Sequence, residues 1–232
     1  MTLAVPRRSL AILMFFQLGG ALAQVSTSVA IVSDYRARGV SLSDGKPTPQ
    51  LSIGYDHPDG WYLGGFASRV TLRGIDDSNQ LITYAGYAHL LAPGLSWEAG
   101  ASKSIIQRGS GFDYAETFIG LASDQLSGRL SYAPHYLGKK DGSLYAELNG
   151  NYPLSDRLRL TAHVGLLRSP SPPQSATPTQ LYRADLRLGI NFDIEAWKLQ
   201  LAWLSTQKKH PAYAYRDGGS PQTWTASAGY EF

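Results

Sequence analysis

The chain has 232 residues, enough for one domain, with 21 Lys and Arg against 18 Asp and Glu, a formal net charge of +3. It contains no cysteine, which excludes a disulfide framework and a thiolate metal site. With charge so nearly balanced and no basic run or base-stacking motif, a nucleic-acid partner is not expected.

In chain order, the first segment is a targeting element. Met1 to Arg8 is short and basic through Arg7 and Arg8, Leu10 to Phe16 is apolar, and Gly19-Gly20-Ala21-Leu22-Ala23 is a small-residue exit. Those three parts make a secretory signal peptide over 1–23, with cleavage expected before Gln24. The apolar stretch is shorter than the roughly 20 residues of a spanning helix. Without Arg7 and Arg8 the mature chain, 24–232, carries 19 basic against 18 acidic residues, a net +1.

The chain is rich in aromatics, with 14 Tyr and 5 Trp, yet has a mean hydropathy of only −0.20, and no long apolar run follows residue 23. Its apolar residues alternate instead. Tyr182, Ala184, Leu186, Leu188, Ile190 and Phe192 share one parity, against Arg183, Asp185, Arg187 and Asn191 on the other. Leu158 to Leu166, Trp197 to Trp203 and Trp224 to Phe232 repeat the pattern. A period of two, apolar on one face and charged on the other, describes strands with lipid outside and water within. In hydrocarbon every backbone polar group needs an internal partner, so strands can span only as a closed barrel. The expected fold is all-β, a transmembrane antiparallel up-and-down β-barrel.

Turn signals divide the chain into about twelve strands, near 25–35, 49–56, 61–72, 80–90, 95–106, 112–122, 126–136, 143–152, 157–168, 180–192, 196–205 and 222–232. Ten is the alternative count. The connections alternate in length. His57 to Gly60, Leu91 to Gly94, Ser123 to Gln125, Pro153 to Asp156 and Asp193 to Glu195 are tight, as periplasmic turns are. The longest, Arg36 to Thr48, Ser169 to Thr179 and Gln207 to Pro221, all fall on the opposite side. Tyr55, Trp61, Tyr62, Trp97, Tyr152, Trp197, Tyr230 and Phe232 flank the short turns, and Tyr35, Tyr114, Tyr136, Tyr182, Trp203 and Trp224 flank the loops. Two aromatic girdles are expected at two interfaces. The final strand, with Tyr230 and Phe232, resembles the signal read by the barrel-assembly machinery. Outer-membrane lipid and lipopolysaccharide would be the other partners.

One stretch carries a more specific likeness. Val32-Ser33-Asp34-Tyr35-Arg36-Ala37-Arg38-Gly39-Val40-Ser41 runs on to Ser43-Asp44-Gly45-Lys46-Pro47, then Gly54-Tyr55 and Gly60-Trp61-Tyr62. It resembles the opening signature of the proteobacterial TorF family, exported proteins classed as porins by inference. The likeness is dense over Val32 to Tyr87 and thin beyond, and Ala37 stands where the family often has an aromatic. It implies an outer-membrane pore and brings no catalytic or ligand residue. Independently of it, Asp34 could hold Arg36 or Arg38, with Gly39, Gly45 and Pro47 shaping the turn.

No catalytic, metal or cofactor constellation is expected. The five histidines are scattered and no G-x-S-x-G or H-E-x-x-H occurs. Function is instead expected from lumen charges. Parity sends Arg129, Arg157, Arg159, Arg183, Arg187 and Lys198 inward, against Glu98, Glu147 and Asp185. Inward arginines in a narrow passage favour anions, which points to a passive channel for small polar or anionic solutes. If those charges all pair across the lumen, the chain reads instead as a closed structural or surface-binding barrel acting through its loops. A lipid-modifying barrel enzyme is the third and weakest reading.

Overall fold

The computed structural model describes residues 24–72, 75–138, 142–168, 182–207 and 220–232. Residues 1–23, where the signal peptide is expected, 73–74, 139–141, 169–181 and 208–219 lie outside the described residues. Twelve strands close into one barrel. In chain order they are β1 (Gln24–Val32), β2 (Thr48–Asp56), β3 (Trp61–Leu72), β4 (Ile75–Ala92), β5 (Leu95–Ile106), β6 (Tyr114–Ser123), β7 (Leu126–Ala133), β8 (Ser143–Pro153), β9 (Leu158–Arg168), β10 (Tyr182–Ile194), β11 (Trp197–Thr206) and β12 (Gln222–Glu231). Each pairs antiparallel with its sequence neighbours, and β12 closes on β1 from Ser28↔Glu231 to Val32↔Ser227. Closure leaves no strand edge, the condition for placing backbone in hydrocarbon.

The twelve-strand expectation holds, with local differences in extent. β4 begins at Ile75 rather than near residue 80, because its pairing with β3 continues through Arg69↔Asn79 and Val70↔Ser78 to Leu72↔Ile75 across a bulge. β9 begins at Leu158, which leaves Arg157 exposed in the preceding turn. Tight turns join β2 to β3, β4 to β5, β6 to β7, β8 to β9 and β10 to β11 at one end. At the first of them Gly60 adopts φ +95°, and a Cβ there would strike the Ala88 carbonyl. That position therefore requires glycine.

The outward face is apolar along the strands. Ile53, Leu63, Ile119, Leu188 and Leu201 are all about half exposed. A continuous band of this kind suits lipid rather than water. At the short-turn end Trp61 meets Tyr87 with ring centroids 5.0 Å apart, and Trp197 meets Tyr230 at 5.2 Å. At the loop end Tyr132, Tyr182 and Trp224 face outward. Four residues assigned to the girdles by sequence do not belong there. Tyr35, Tyr62 and Tyr136 are buried inside the barrel, and Tyr114 packs against Tyr136 at 4.8 Å. Their strand parity, or the inward course of their loops, overrides their position near an interface.

The inner wall is asymmetric. From β3 to β8 large side chains fill the interior, and several lie over glycines of adjoining strands. A Cβ at Gly64 would collide with the Tyr84 hydroxyl, one at Gly86 with the Tyr62 ring, and one at Gly100 would lie 2.6 Å from Phe118. Absent side chains at these glycines let the rings lie flat against the wall. From β9 round to β2 the inner wall sets charged residues among small and polar ones, and the open space runs along this side.

Candidate functional site

Among the described residues, strand side chains form three groups of interacting charges in the lumen, apart from those that involve the loop after β1. In the first, Arg129 on β7 donates to Glu98 on β5 through Nη2 at 2.6 Å and Nε at 2.9 Å. The Tyr62 hydroxyl donates to the same carboxylate at 2.8 Å, and the Arg129 guanidinium lies 4.5 Å from the Phe118 ring centre. This cation is neutralised and packed. It braces the filled wall.

The second group centres on His163, which sequence reasoning passed over as one of five scattered histidines. Register sets it opposite Asn149 on β8 and Arg187 on β10. Its Nε2 lies 2.9 Å from Asp185 and 3.1 Å from the Tyr145 hydroxyl, and its Nδ1 lies 2.5 Å from Asn149 Oδ1. Glu147 stands 3.9 Å from the same ring. Glu147 and Asp185 are thus gathered on one imidazole, a convergence visible only once β8, β9 and β10 are in register.

The third group lies near the short-turn end. Asp193 sits between Arg159 at 2.8 Å and Lys198 at 3.6 Å, and Lys198 also approaches Glu231 at 3.8 Å. Asp193 and Glu231 were absent from the residues singled out by sequence. Parity turns both inward, so the signal was present.

The connection from β1 to β2, residues 33–47, enters the barrel. A short hairpin pairs Arg36↔Ser41 and Ala37↔Val40. Asp34 organises its base by accepting from Ser41 at 2.5 Å and Ser43 at 3.1 Å, with Arg36 at 3.5 Å. Burial lowers the pKa of the Arg36 guanidinium, against the opposing pull of Asp34, and burial raises that of the Tyr35 phenol. At the tip, Arg38 reaches Glu116 on β6 at 2.6 Å and lies over the Tyr145 and Tyr136 rings at 4.4 and 4.9 Å. Gly39, at φ +76°, accepts from Thr206 Oγ1 on β11 at 2.8 Å, and a Cβ there would lie 2.7 Å from the Asp185 Cβ. The loop therefore leaves one wall and seats its tip against the opposite one. Tyr35 and Leu42 pack with Phe66, Val70, Leu72 and Ile106 beneath it.

Of the nine lumen charges expected from sequence, eight project inward from strands and Arg157 does not. Arg183 is buried at the loop end of β10. Arg187 differs from the rest. Among the described residues it makes no hydrogen bond or ion pair, and it borders a cavity of about 170 Å³. That cavity runs from Asp34 and Arg36 of the inserted loop to Lys198 and Glu231, between Ser28, Ser52, Asn191, Gln200 and Ser227.

The architecture is shared with known outer-membrane proteins. A NanC porin structure superposes with a TM-score of 0.59 at 10% identity, covering 90% of this chain and 99% of that one. A KdgM porin in complex with disordered oligogalacturonate gives 0.57 at 13%, covering 91% and 98%. An outer-membrane channel from Pseudomonas putida F1 gives 0.51 at 11%, covering 96% and 99%. At such identities the likeness is one of fold. A search of the curated proteins finds no sequence match. The sequence profile of a bacterial protein family of unknown function, Gcw_chp, matches residues 19–228, and the chain belongs to that family.

Proposed function

We propose that the chain is exported by its signal segment to the Gram-negative outer membrane, where it forms a narrow passive channel for small polar or anionic solutes. The observation that carries this reading is Arg187, a cation with no hydrogen bond or ion pair among the described residues, on a cavity lined by apolar residues together with hydroxyls, amides and compensated charges. Arginine stays ionised in such surroundings and lowers the barrier for anions. The fold-level likeness to channel proteins supports it, as does the resemblance of Val32 to Tyr87 to the TorF family. On this reading the chain contacts lipid and lipopolysaccharide outside, is assembled through its last strand, and carries out no catalysis.

A second reading has its own observation. The inserted loop and the Arg38–Glu116 and Arg129–Glu98 pairs brace the interior as a closed scaffold would. Single-channel recording of refolded residues 24–232 in a salt gradient separates the two. Discrete steps with an anion-selective reversal potential are expected. A folded, heat-modifiable barrel that never conducts would sink the channel and leave the scaffold.

A further inference from the structure

We infer that the cavity beside β10 and β11 is a binding subsite for a single small polyhydroxylated carboxylate, with Arg187 as its anion-recognising residue. This deepens the channel reading and rests on it for physiological meaning, although the site itself is argued from geometry alone.

Arg187 feels the attraction of two nearby acids, but neither forms an ion pair with it, and both stand closer to His163. Asp185, two residues before it on the same face, accepts from the Tyr145 hydroxyl at 3.3 Å and meets His163 at 2.9 Å. Glu147 lies 3.9 Å from the same imidazole. Leu204 stands directly opposite Arg187 on β11 and has nothing to offer a guanidinium. A partly enclosed arginine whose donors make no hydrogen bond among the described residues presents a planar fork whose best complement is a bidentate carboxylate.

The remainder of the cavity supplies the other half of the recognition. One layer nearer the short turns, Gln200 donates to Asn191 at 2.7 Å, which aligns the two amides and leaves the outer lone pairs and protons of both for a ligand. Ser227 lies opposite Gln200 on β12, and Ser28 and Ser52 face each other on β1 and β2. Between Arg187 and this layer stand Gly189 and Ala202, with Thr161 beside Gly189 on β9, so only small side chains lie between the charge and the hydroxyl-binding groups. Inward positions four residues apart on a strand are roughly 13 Å apart, and both side chains can lean toward the gap. A carboxylate at one end and hydroxyls along the body match this order. Neutral sugars lack the first and simple carboxylic acids the second. The cavity of about 170 Å³ is smaller than the roughly 300–1,000 Å³ of pockets for drug-sized ligands, so it admits one ring and not a chain.

The test is direct binding of D-glucuronate to the refolded barrel in detergent by titration calorimetry, with D-glucose and acetate as comparison probes. Expected are glucuronate binding at least tenfold tighter than either comparison, at least a tenfold loss in Arg187→Gln, an intermediate loss in Arg187→Lys, and no change in Arg69→Gln, which lies outside the lumen. Heat-modifiable mobility confirms that each variant folds, and the lysine variant answers the question if the glutamine one does not. Absence of glucuronate binding, binding no tighter than acetate, or indifference to both Arg187 variants would overturn the assignment. A barrel that conducts but fails to bind refutes only this site, whereas one that binds but never conducts refutes only the channel.

Discussion

Arg38 and Glu116 meet at 2.6 Å across the interior, although 78 positions of sequence and the four strands β2 to β5 separate them. The arginine is carried on a loop and the carboxylate on a strand, so this pair ties the loop tip to the wall, alongside the Gly39–Thr206 hydrogen bond and the packing of Tyr35 and Leu42. The Tyr136 and Tyr145 rings beneath the guanidinium hold it in place and keep water from the pair. Both side chains are largely enclosed, with exposures of 13% and 11%.

Removing one partner leaves the other charged and enclosed. Glu116→Gln or Arg38→Ala is expected to lower stability by about 3 kcal/mol, the scale for breaking a buried pair, read from urea midpoints in lipid vesicles. Conductance should rise as the loop leaves the wall. Arg38→Met with Glu116→Leu should recover most of the stability but not the original conductance. Unaltered current in all three variants would mean that the loop does not constrict the passage.

The glycine beneath Tyr84 is a packing requirement. Gly64→Ala places a methyl group against the tyrosine hydroxyl and is expected to cost about 2 kcal/mol, as overpacking does. In a Tyr84→Ala background the same change should cost almost nothing, because the two residues share one space. Additive losses in the double variant would refute the contact.

A cation on the outer face distinguishes lipid from water as the barrel's surroundings. Leu188→Arg, near the middle of β10, should destabilise by about 3 kcal/mol, whereas Leu154→Arg in a short turn should cost about 1 kcal/mol or less, following the depth dependence of charged residues on lipid-facing barrel surfaces. Equal costs, measured by unfolding in vesicles, would contradict a membrane-spanning band at Leu188.

Asp193 compensates both Arg159 and Lys198. Asp193→Asn should release the two cations and shift the reversal potential toward anions, while Arg187→Gln should shift it the other way. Shifts of the same sign in both variants would remove the lumen charges as the source of selectivity.

The twelve strands were legible because the signal for each is local. Leu188 and Arg187 differ by one position, and the pleat alone sends one outward and the other inward. Tight turns such as His57 to Gly60 announce themselves through proline and glycine, so the two ends of the barrel could be told apart before any pairing was known. Local position misleads at Tyr35, Tyr62, Tyr114 and Tyr136, where strand parity or the inward course of a loop outweighs proximity to an interface.

The pairing of charges followed a different logic. Parity named Arg129, Arg159 and Arg187 as equals, yet Arg129 found Glu98, Arg159 found Asp193, and Arg187 found neither. Nothing in the alternation ranks them, since partner choice depends on strand register, on distances across the lumen and on which loop enters it. The sequence by itself determined the barrel, the end that holds its tight turns and most of the inward set, because a period of two and a short turn are properties of neighbouring residues. Only the tertiary structure decided that residues 33–47 cross the interior, that Glu147 and Asp185 gather on His163, and that Arg187 is left to face the cavity, because those outcomes join residues that closure of the ring alone brings together.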